Sequence, residues 1–540
     1  MERTKTLLLL VLLVGLTVSA AEGQRANTAQ ATFTTLGGFY DFQSSGGACQ
    51  YIRVNPANGH IHVVYLSSFD STSISTSRRT FYAFSTNGGT TWNNFLDLSV
   101  PPRRSGFPSL DLMPSTEGFC TVIADHSFDG IGTCGQMFVD CPEGGGAFAE
   151  ILLPSNVCLQ SPQIACTADS AVVFVGTGTV DGIEGIYVRR LDTTGTWTRL
   201  TLQVAGNYVV AANPTDRVSV LLNLPGNGVL LFESTNNGRT WPATPLTVYP
   251  PQRIVGSDTF QAYVGCDLAY LNDSPLVSLH EFMSNAQAPT DSSRILFWRQ
   301  STGLVVAADK GNTPRVVPRL NRPQILHKTI GYPVIGVVQN RIVIIYQAFM
   351  PETSMAGFNY SDLFLVRSND NGFSWYSPEN ITQTPALDER YPGISKTNWP
   401  SAPIFVHVVW QEDPEPGSTA GGDNAPLSRA SQKYSRIQVI PASVDPNPPA
   451  PDHFALEQNY PNPFNPVTTI RYTLPAGTRG RTFLRVYDIL GREIATLVNE
   501  EKLPGHYDVT WDAGTVPSGV YFYRLTANGN TRISKAMVLK

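Results

Sequence analysis

One eight-residue pattern recurs three times in this chain. It reads STNGGTTW from Ser85 to Trp92, STNNGRTW from Ser234 to Trp241, and SNDNGFSW from Ser368 to Trp375. The Asn or Asp at its third place can accept a hydrogen bond from a backbone N–H two residues on, and the Gly at its fifth place can take the positive φ of a tight turn. The pattern therefore predicts three tight corners, each anchored by a buried tryptophan.

The pattern resembles the Asp-box, or bacterial neuraminidase repeat, of sialidase-like β-propellers. The resemblance implies an all-β ring of blades in which each corner joins the outer two strands of one blade. It also implies that the matching residues have a structural role and do not contact a ligand. These residues are Ser85, Asn87, Gly89, Thr91, Trp92, Ser234, Asn236, Gly238, Thr240, Trp241, Ser368, Asp370, Gly372, Ser374 and Trp375.

The spacing of the corners predicts the number of blades. The first two complete copies are three units of about fifty residues apart, and the last two are separated by two longer units. Degenerate copies lie between them, at Asp140–Phe148, Asp192–Trp197 and Phe297–Gly303. We therefore expect a seven-bladed β-propeller over residues 45–440. Six blades is the alternative if the first or the last degenerate copy belongs to a neighbouring blade.

A different module is predicted at the C-terminal end. From Phe454 the chain reads FALEQNYPNPFNPVTTIRYTLP and later VTWDAGTVPSGVYFYRLTANG. Ile470, Tyr472 and Leu474 alternate with polar residues and so share one face of a strand. Residues 454–540 resemble the C-terminal sorting domain of proteins exported by the type IX secretion system of Gram-negative bacteria, and their short strands suggest a small Ig-like sandwich. The resemblance implies recognition by the outer-membrane translocon, with anchoring to lipopolysaccharide after cleavage.

The segments that flank the predicted propeller have their own signatures. Residues 1–20 combine a short charged start, an apolar run and small residues at the end, which predicts a secretory signal peptide. Residues 21–44 are expected to be a lead-in, either flexible or a strand that helps to close the ring. Residues 441–453 are rich in proline and predict a stiff linker. No later run is long enough to span a membrane, so we expect a protein that is secreted or on the outer cell surface, reached through the periplasm.

Charge and cysteine content narrow the range of partners. A net charge of −5 argues against nucleic acid, which needs a basic face. Seven cysteines in an exported chain favour disulfides, and the odd count leaves at least one thiol unpaired. The pairs Cys134–Cys141 and Cys158–Cys166 would close small loops, although other pairings remain open. No CxxC pair supports zinc, so no metal or cofactor is expected.

The resemblance to sialidases raises the question of an active site. Those enzymes grip a carboxylate with three arginines and use a Tyr/Glu pair and an aspartate for catalysis. The candidates here are Arg53, Arg322 and Arg390, with Asp70 as the acid. Arg53 stands one place later than in the family's aromatic-Arg-Ile-Pro motif, and one residue along a strand reverses the face.

Two histidines are the other chemical candidates. His60 and His62 share a strand face and could form a metal pair, but no third ligand is evident. No catalytic, cofactor-binding or metal-binding residue is therefore assigned. The leading hypothesis is an exported, non-catalytic propeller that binds an extracellular or cell-surface glycan or protein, and the alternative is a sialidase-like exo-glycoside hydrolase.

Overall fold

Every regular element that the structure describes is a β-strand, as the sequence predicted. The computed structural model describes residues 29–32, 37–44, 50–128, 133–151, 153, 157–192, 195–204, 206–284, 293–317, 329–398, 403–422, 425–439, 454–475, 478, 480–502 and 505–540. The predicted signal peptide and the proline-rich linker lie outside these ranges.

Seven antiparallel sheets follow one another along the chain, and each is a meander of consecutive strands except the seventh, whose fourth strand comes from the start of the described sequence. Sheet 1 is β2 (Ile52–Val54), β3 (Ile61–Ser67), β4 (Arg79–Ser85) and β5 (Asn93–Ser99). Sheet 2 is β6 (Ser109–Ser115), β7 (Gly118–Phe128), β8 (Thr133–Asp140) and β9 (Ala149–Ile151). Sheet 3 is β10 (Cys158–Cys166), β11 (Val172–Val180), β12 (Ile183–Leu191) and β13 (Thr198–Thr201). Sheet 4 is β14 (Asn207–Ala212), β15 (Val218–Leu224), β16 (Gly228–Ser234) and β17 (Leu246–Tyr249).

The next three sheets continue the series. Sheet 5 is β18 (Arg253–Val255), β19 (Asp258–Leu271), β20 (Ser274–Met283), β21 (Arg294–Arg299) and β22 (Gly303–Asp309). Sheet 6 is β23 (Ile330–Val338), β24 (Arg341–Thr353), β25 (Asn359–Ser368) and β26 (Glu379–Asn380). Sheet 7 is β27 (Asp388–Ile394), β28 (Phe405–Asp413), β29 (Ser431–Gln438) and β1 (Ala29–Thr32).

The seven sheets make contacts in a closed cyclic order, which gives a propeller-like ring. The innermost strands β2, β6, β10, β14, β19, β23 and β27 each contact the next, and β27 contacts β2. Strand β1 pairs with β29, so that the fourth strand of sheet 7 comes from the other end of the ring's sequence. Of the two alternatives for residues 21–44, the closing strand is therefore the one found at Ala29–Thr32.

Stacking of sheet on sheet explains the long apolar runs of this sequence. All seven residues of β15, Val218–Leu224, are buried, because neighbouring sheets cover both faces. Strand β3 is buried along its whole length in the same way. Strands covered on both sides need apolar residues at successive positions and do not show simple alternation.

The meander gives the ring two distinct ends. At one end, called here the loop end, the innermost strands begin, and the connections between sheets and between second and third strands lie there. At the other, the corner end, lie the turns from first to second strand and from third to fourth strand. The predicted Asp-box segments all fall at third-to-fourth turns, so they all lie at the corner end.

Two disulfides join neighbouring strands of the ring. Cys120–Cys141 lies at the corner end of sheet 2, and Cys134–Cys158 ties sheet 2 to sheet 3 at the loop end. The suggested pairings Cys134–Cys141 and Cys158–Cys166 are therefore wrong, because strand register and not sequence proximity decides which cysteines meet. Cys166 and Cys266 are free and buried.

The C-terminal residues form two further sheets that share one core. One contains β30 (Ala455–Leu456), β31 (Val467–Leu474) and β34 (Gly505–Asp512); the other contains β32 (Arg481–Tyr487), β33 (Glu493–Glu501), β35 (Gly519–Ala527) and β36 (Asn530–Val538). Ile470, Tyr472 and Leu474 are all buried in this core, as expected for one face of a strand.

Candidate functional site

The three octapeptides adopt the same hydrogen-bonded corner. The serine Oγ accepts from the glycine N–H four residues on, at 2.9 Å for Ser85–Gly89. The Asn or Asp carboxamide or carboxylate accepts from the N–H four residues on, at 2.9 Å for Asn87–Thr91. The other two copies repeat these bonds within 0.1 Å. The prediction that the Asn or Asp side chain accepts a bond from the N–H two residues on is therefore wrong. The bond that spans two residues is instead accepted by Ser85 Oγ, from Asn87 N.

Each corner is locked against the preceding sheet. Gly372 has φ +90, and a Cβ there would overlap the Phe297 ring; Gly89 is placed in the same way against Tyr434, and Gly238 against Val173. Trp375 is 7% exposed and contacts the same Phe297 ring at 5.3 Å between centroids, whereas Trp92 and Trp241 are only half-buried, so the expectation of a buried tryptophan is wrong for two of the three corners. Glycine is thus required for its backbone conformation and for close approach.

His60 and His62 take part in contacts that join sheet 1 to sheet 2. Glu143, in the corner of sheet 2, contacts His60 Nδ1 at 2.9 Å and His62 Nε2 at 3.2 Å, both in sheet 1. Asn55 and Asn58 also donate to its carboxylate. Burial alone would raise the pKa of Glu143, but hydrogen bonds from His62 and Asn58 lower it to about 2. The residues described include no group of three or more His, Cys, Asp or Glu that could hold a metal ion.

The arginines proposed for a sialidase-like grip are separately engaged. Arg53 pairs with Asp111 at 2.8 Å and lines a cavity at the corner end. Arg390 is completely buried, pairs with Asp388 at 2.8 Å and donates to Asp41 O at 3.4 Å. Asp70 is exposed and caps its own turn by accepting from Thr72 N. Arg322 lies outside the described residues, so the described part of the ring offers no converging arginine set.

A small cavity of about 100 Å³ opens at the loop end of the ring. The segment 37–44 forms one wall, where Tyr51 donates its hydroxyl proton to Gln43 O at 2.5 Å. On the opposite wall Tyr208 donates to Ser161 O at 2.8 Å. Gln163 Oε1 is buried at this cavity and has no hydrogen-bond partner among the described residues. An acceptor left without a donor is the kind of group that a polar ligand would satisfy.

An open cleft of about 790 Å³ adjoins this cavity and shares Thr177 with it. Its walls come from β10, β11 and the start of β12, and Cys158 of the loop-end disulfide is part of them. Amides, hydroxyls and glycines make up most of the lining, and its charged groups are the two carboxylates of Asp181 and Glu184. The described residues that line the cleft thus include two carboxylates and no cationic side chain.

The loop end also carries most of the exposed large apolar side chains in the described part of the ring. Phe69 and Phe128 are 49% and 40% exposed on second-to-third-strand connections of sheets 1 and 2. The others there are Ile151, Ile183, Leu202, Val204, Ile254, Val255, Met355 and Leu427.

A layer of buried polar groups separates the two ends of the ring. Gln50, just before β2, donates from Nε2 to Val210 O in sheet 4 at 2.8 Å. Its Oε1 accepts from Ser109 Oγ at 3.1 Å and from Arg53 Nη2 at 3.4 Å. Ser109 Oγ in turn accepts from Ile164 N at 3.0 Å. The innermost strands of four sheets are joined by this layer, which sequence reasoning did not identify.

A buried carboxyl group lies beside the loop end in sheet 2. Asp125 has no exposed surface, and burial raises its pKa to about 7. The neighbouring His126 contacts Arg78 Nη2 at 2.7 Å, and burial together with Arg78 lowers the pKa of this histidine to about 3. His126 is therefore uncharged near neutral pH, whereas Asp125 is about half ionised there and is uncharged only at lower pH.

The comparisons with known proteins identify one part of the chain. Residues 458–540 match the family described as a secretion system C-terminal sorting domain. No curated protein matches the chain. No helix long and apolar enough to cross a membrane is found in the described residues.

Similar solved structures are distant. A fungal alcohol oxidase of the AA5 family, in complex with copper, is 11% identical over 95% of this chain and all of its own, with a TM-score of 0.42. Trypanosoma rangeli sialidase in complex with sialic acid is 10% identical over 94% of this chain and 88% of its own, with a TM-score of 0.36. A Dyadobacter fermentans protein of unknown function is 12% identical over 62% and 98%, with a TM-score of 0.38. The cyclic contacts of the seven sheets give the propeller-like all-β ring, and the C-terminal sorting domain implies export by type IX secretion to the cell surface or beyond.

Proposed function

We propose that this protein is an exported, seven-bladed β-propeller that binds an extracellular glycan at its loop end and is delivered by an Ig-like sorting domain at residues 454–540. Seven consecutive sheets with cyclic contacts support the blade count. The Asp-box residues then have an architectural role, because their side chains are occupied by the corner hydrogen bonds.

One observation carries the assignment of the ligand. The loop-end cavity and cleft present amide and hydroxyl groups, including the unsatisfied Gln163 Oε1, and no cationic side chain. Sugar hydroxyls both donate and accept hydrogen bonds, so such a lining is complementary to them. The exposed Phe69 and Phe128 at the same end suit the apolar faces of sugar rings. An uncharged glycan satisfies all three features.

The proposal is tested with the full-length protein on a glycan array, followed by titration of the best neutral oligosaccharide. Gln163→Ala and Thr177→Val should each weaken binding by about tenfold, since each removes a hydrogen-bonding group from the site. Thr198→Val on the outer strand β13 is the matched control and should bind as the unchanged protein does.

Two results would contradict the proposal. If the array is negative and pull-down from the cell surface recovers a protein that requires Phe69 or Phe128, the loop end binds protein and not glycan. If the purified protein hydrolyses a fluorogenic sialoside, the ring is a glycoside hydrolase. Once the protein is exported, cleavage and attachment to lipopolysaccharide would keep the ring at the cell surface. A shift in the electrophoretic mobility of the ring caused by attached lipopolysaccharide would detect this.

A further inference from the structure

A second cavity lies at the opposite end of the ring and has different chemistry. It measures about 270 Å³, just below the usual range of about 300–1,000 Å³ for ligand sites. First-to-second-strand turns from sheets 1, 2, 3, 4 and 7 surround it. The layer of buried polar groups around Gln50 lies between this cavity and the loop end. Arg53 lines the cavity, and Arg53 Nη2 donates to Gln50 Oε1 in that layer. It is therefore independent of the proposed glycan site.

Three charged side chains line this cavity, and two of them are cations. Arg53 and Lys396 are 7% and 11% exposed as side chains, and Asp111 is 18% exposed. Each cation is paired with a carboxylate, Arg53 with Asp111 and Lys396 with Asp267, which does not line the cavity, so these four groups together carry no net charge. Water is largely excluded from these side chains, so their electrostatic interactions are stronger than at an open surface.

The carboxylates near the two cations are held by the backbone of the ring. Asp111 Oδ2 accepts from Cys166 N at 2.7 Å, while Oδ1 pairs with Arg53. Asp267, which pairs with Lys396, accepts from Ile335 N at 2.8 Å. Each carboxylate thus joins the innermost strands of adjacent sheets. Lys396 also donates to Ile335 O at 3.1 Å, so that two of its three ammonium protons are engaged by Asp267 and Ile335.

The remaining walls are mainly apolar. Phe119, Leu112 and Pro114 of sheet 2 face Ala211 and Pro214 of sheet 4 across the cavity. Apolar walls favour a ligand with a compact hydrocarbon body. Because each cation is already paired with a carboxylate, a ligand with one negative charge is favoured over a ligand with two.

We propose that this cavity binds a small organic monoanion, with its carboxylate toward Arg53 and Lys396 and its apolar body against Phe119 and Pro214. Arginine and lysine donate charge-assisted hydrogen bonds to carboxylates, which are stronger than bonds between neutral groups. The ring then carries two sites, one for a neutral glycan at the loop end and one for an organic acid at the corner end.

The test uses benzoate as the probe, with benzamide as its neutral counterpart and inorganic phosphate as the dianionic arm, by isothermal titration of the full-length protein. Saturable benzoate binding is expected, with benzamide and phosphate at least about tenfold weaker. Lys396→Met should weaken benzoate binding by at least about tenfold. Ala168→Trp should abolish it, because this exposed turn residue lies at the cavity mouth.

The controls separate binding from folding and from the proposed function. Asn340→Trp places the same bulky side chain on an exposed first-to-second turn of sheet 6 that does not line the cavity, and should bind benzoate normally. Gln163→Ala, at the loop end, should also leave benzoate binding unchanged. The proposal is overturned if benzoate does not bind saturably, if benzamide or phosphate binds as tightly, or if Ala168→Trp retains binding. Since Ala168 is exposed, this variant keeps the test valid even where Lys396→Met fails to fold.

Discussion

Gln50 donates a hydrogen bond of 2.8 Å to the carbonyl oxygen of Val210, although sheets 1 and 4 are not neighbours in the ring. One side chain therefore reaches across the centre and ties distant sheets together. We expect Gln50→Leu, which has a similar volume, to lower the free energy of unfolding by about 1–3 kcal/mol, because Val210 O and Ser109 Oγ lose a buried partner. Urea denaturation measures this change. Gln252→Leu, at an exposed position, is the control and should change stability little.

The corner glycines should be far less replaceable than turn glycines in general. Gly372 and Gly357 both have positive φ, at +90 and +78, but only Gly372 faces a ring that a Cβ would overlap. Both alanine variants bear the cost of the left-handed conformation, which is about 1–2 kcal/mol. Gly372→Ala should lose about 1–3 kcal/mol more, through overpacking against Phe297. If thermal or urea unfolding shows that both variants lose the same free energy of unfolding, the corner is not closely packed against sheet 5.

Asp125 should make the ring less stable as pH rises. Burial raises its folded pKa to about 7 from the usual 3.8, so the folded state holds this proton more tightly than the unfolded state. The contribution is therefore full below about pH 4 and is lost as pH rises toward 7, by up to about 1.4 kcal/mol per pH unit. Asp125→Asn should remove this slope and gain stability relative to the unchanged protein at pH 7.5. Parallel stability curves between pH 4.5 and 7.5 would contradict this expectation.

The two disulfides should differ in their effect on binding. Replacing Cys134 and Cys158 with serine frees the wall of the loop-end cleft, so both stability and glycan affinity should fall. Replacing Cys120 and Cys141 acts at the corner end, and only stability should fall. Either pair is expected to cost about 2–4 kcal/mol. Equal glycan affinity of the two double variants would argue against a binding site at the cleft.

Removal of the sorting domain should change the location of the protein and not the fold of the ring. The C-terminal sheets have their own core, so a chain without residues 454–540 should keep the unfolding midpoint of the ring within a few degrees. It should accumulate in the periplasm, while the full-length chain in the same cells reaches the outside. Truncated protein in the medium of intact cells would refute the assignment of the export signal.

Sequence reasoning succeeded where interactions are local. The corners at Ser85, Ser234 and Ser368 were found because their hydrogen bonds lie within eight residues, so that the residue types and spacing carry the geometry. The strand face of Ile470 and Tyr472 followed from alternation for the same reason. The detail that failed, the bond two residues on from Asn87, depends on backbone dihedrals that composition does not specify.

Contacts between distant residues were not predictable. The Gln50–Val210 bond and the pairing of Cys134 with Cys158 depend on strand register around the ring, and no local pattern encodes them. The place of Arg53 in a second cavity was not predictable either, because it requires the turns of five sheets to converge. The loop-end cleft was missed because amides, hydroxyls and glycines are common in every loop of this chain.

The pairing of Ala29–Thr32 with β29 also has a consequence for biogenesis. The earliest described strand of the ring can pair with its partner only after nearly the whole ring has been synthesised. Until that moment the outer edge of β29 is unpaired. We therefore expect the ring to close last, through Ala29–Thr32. A chaperone or a competing β-strand in the periplasm would act at this edge, before the ring closes and the protein is transported across the outer membrane.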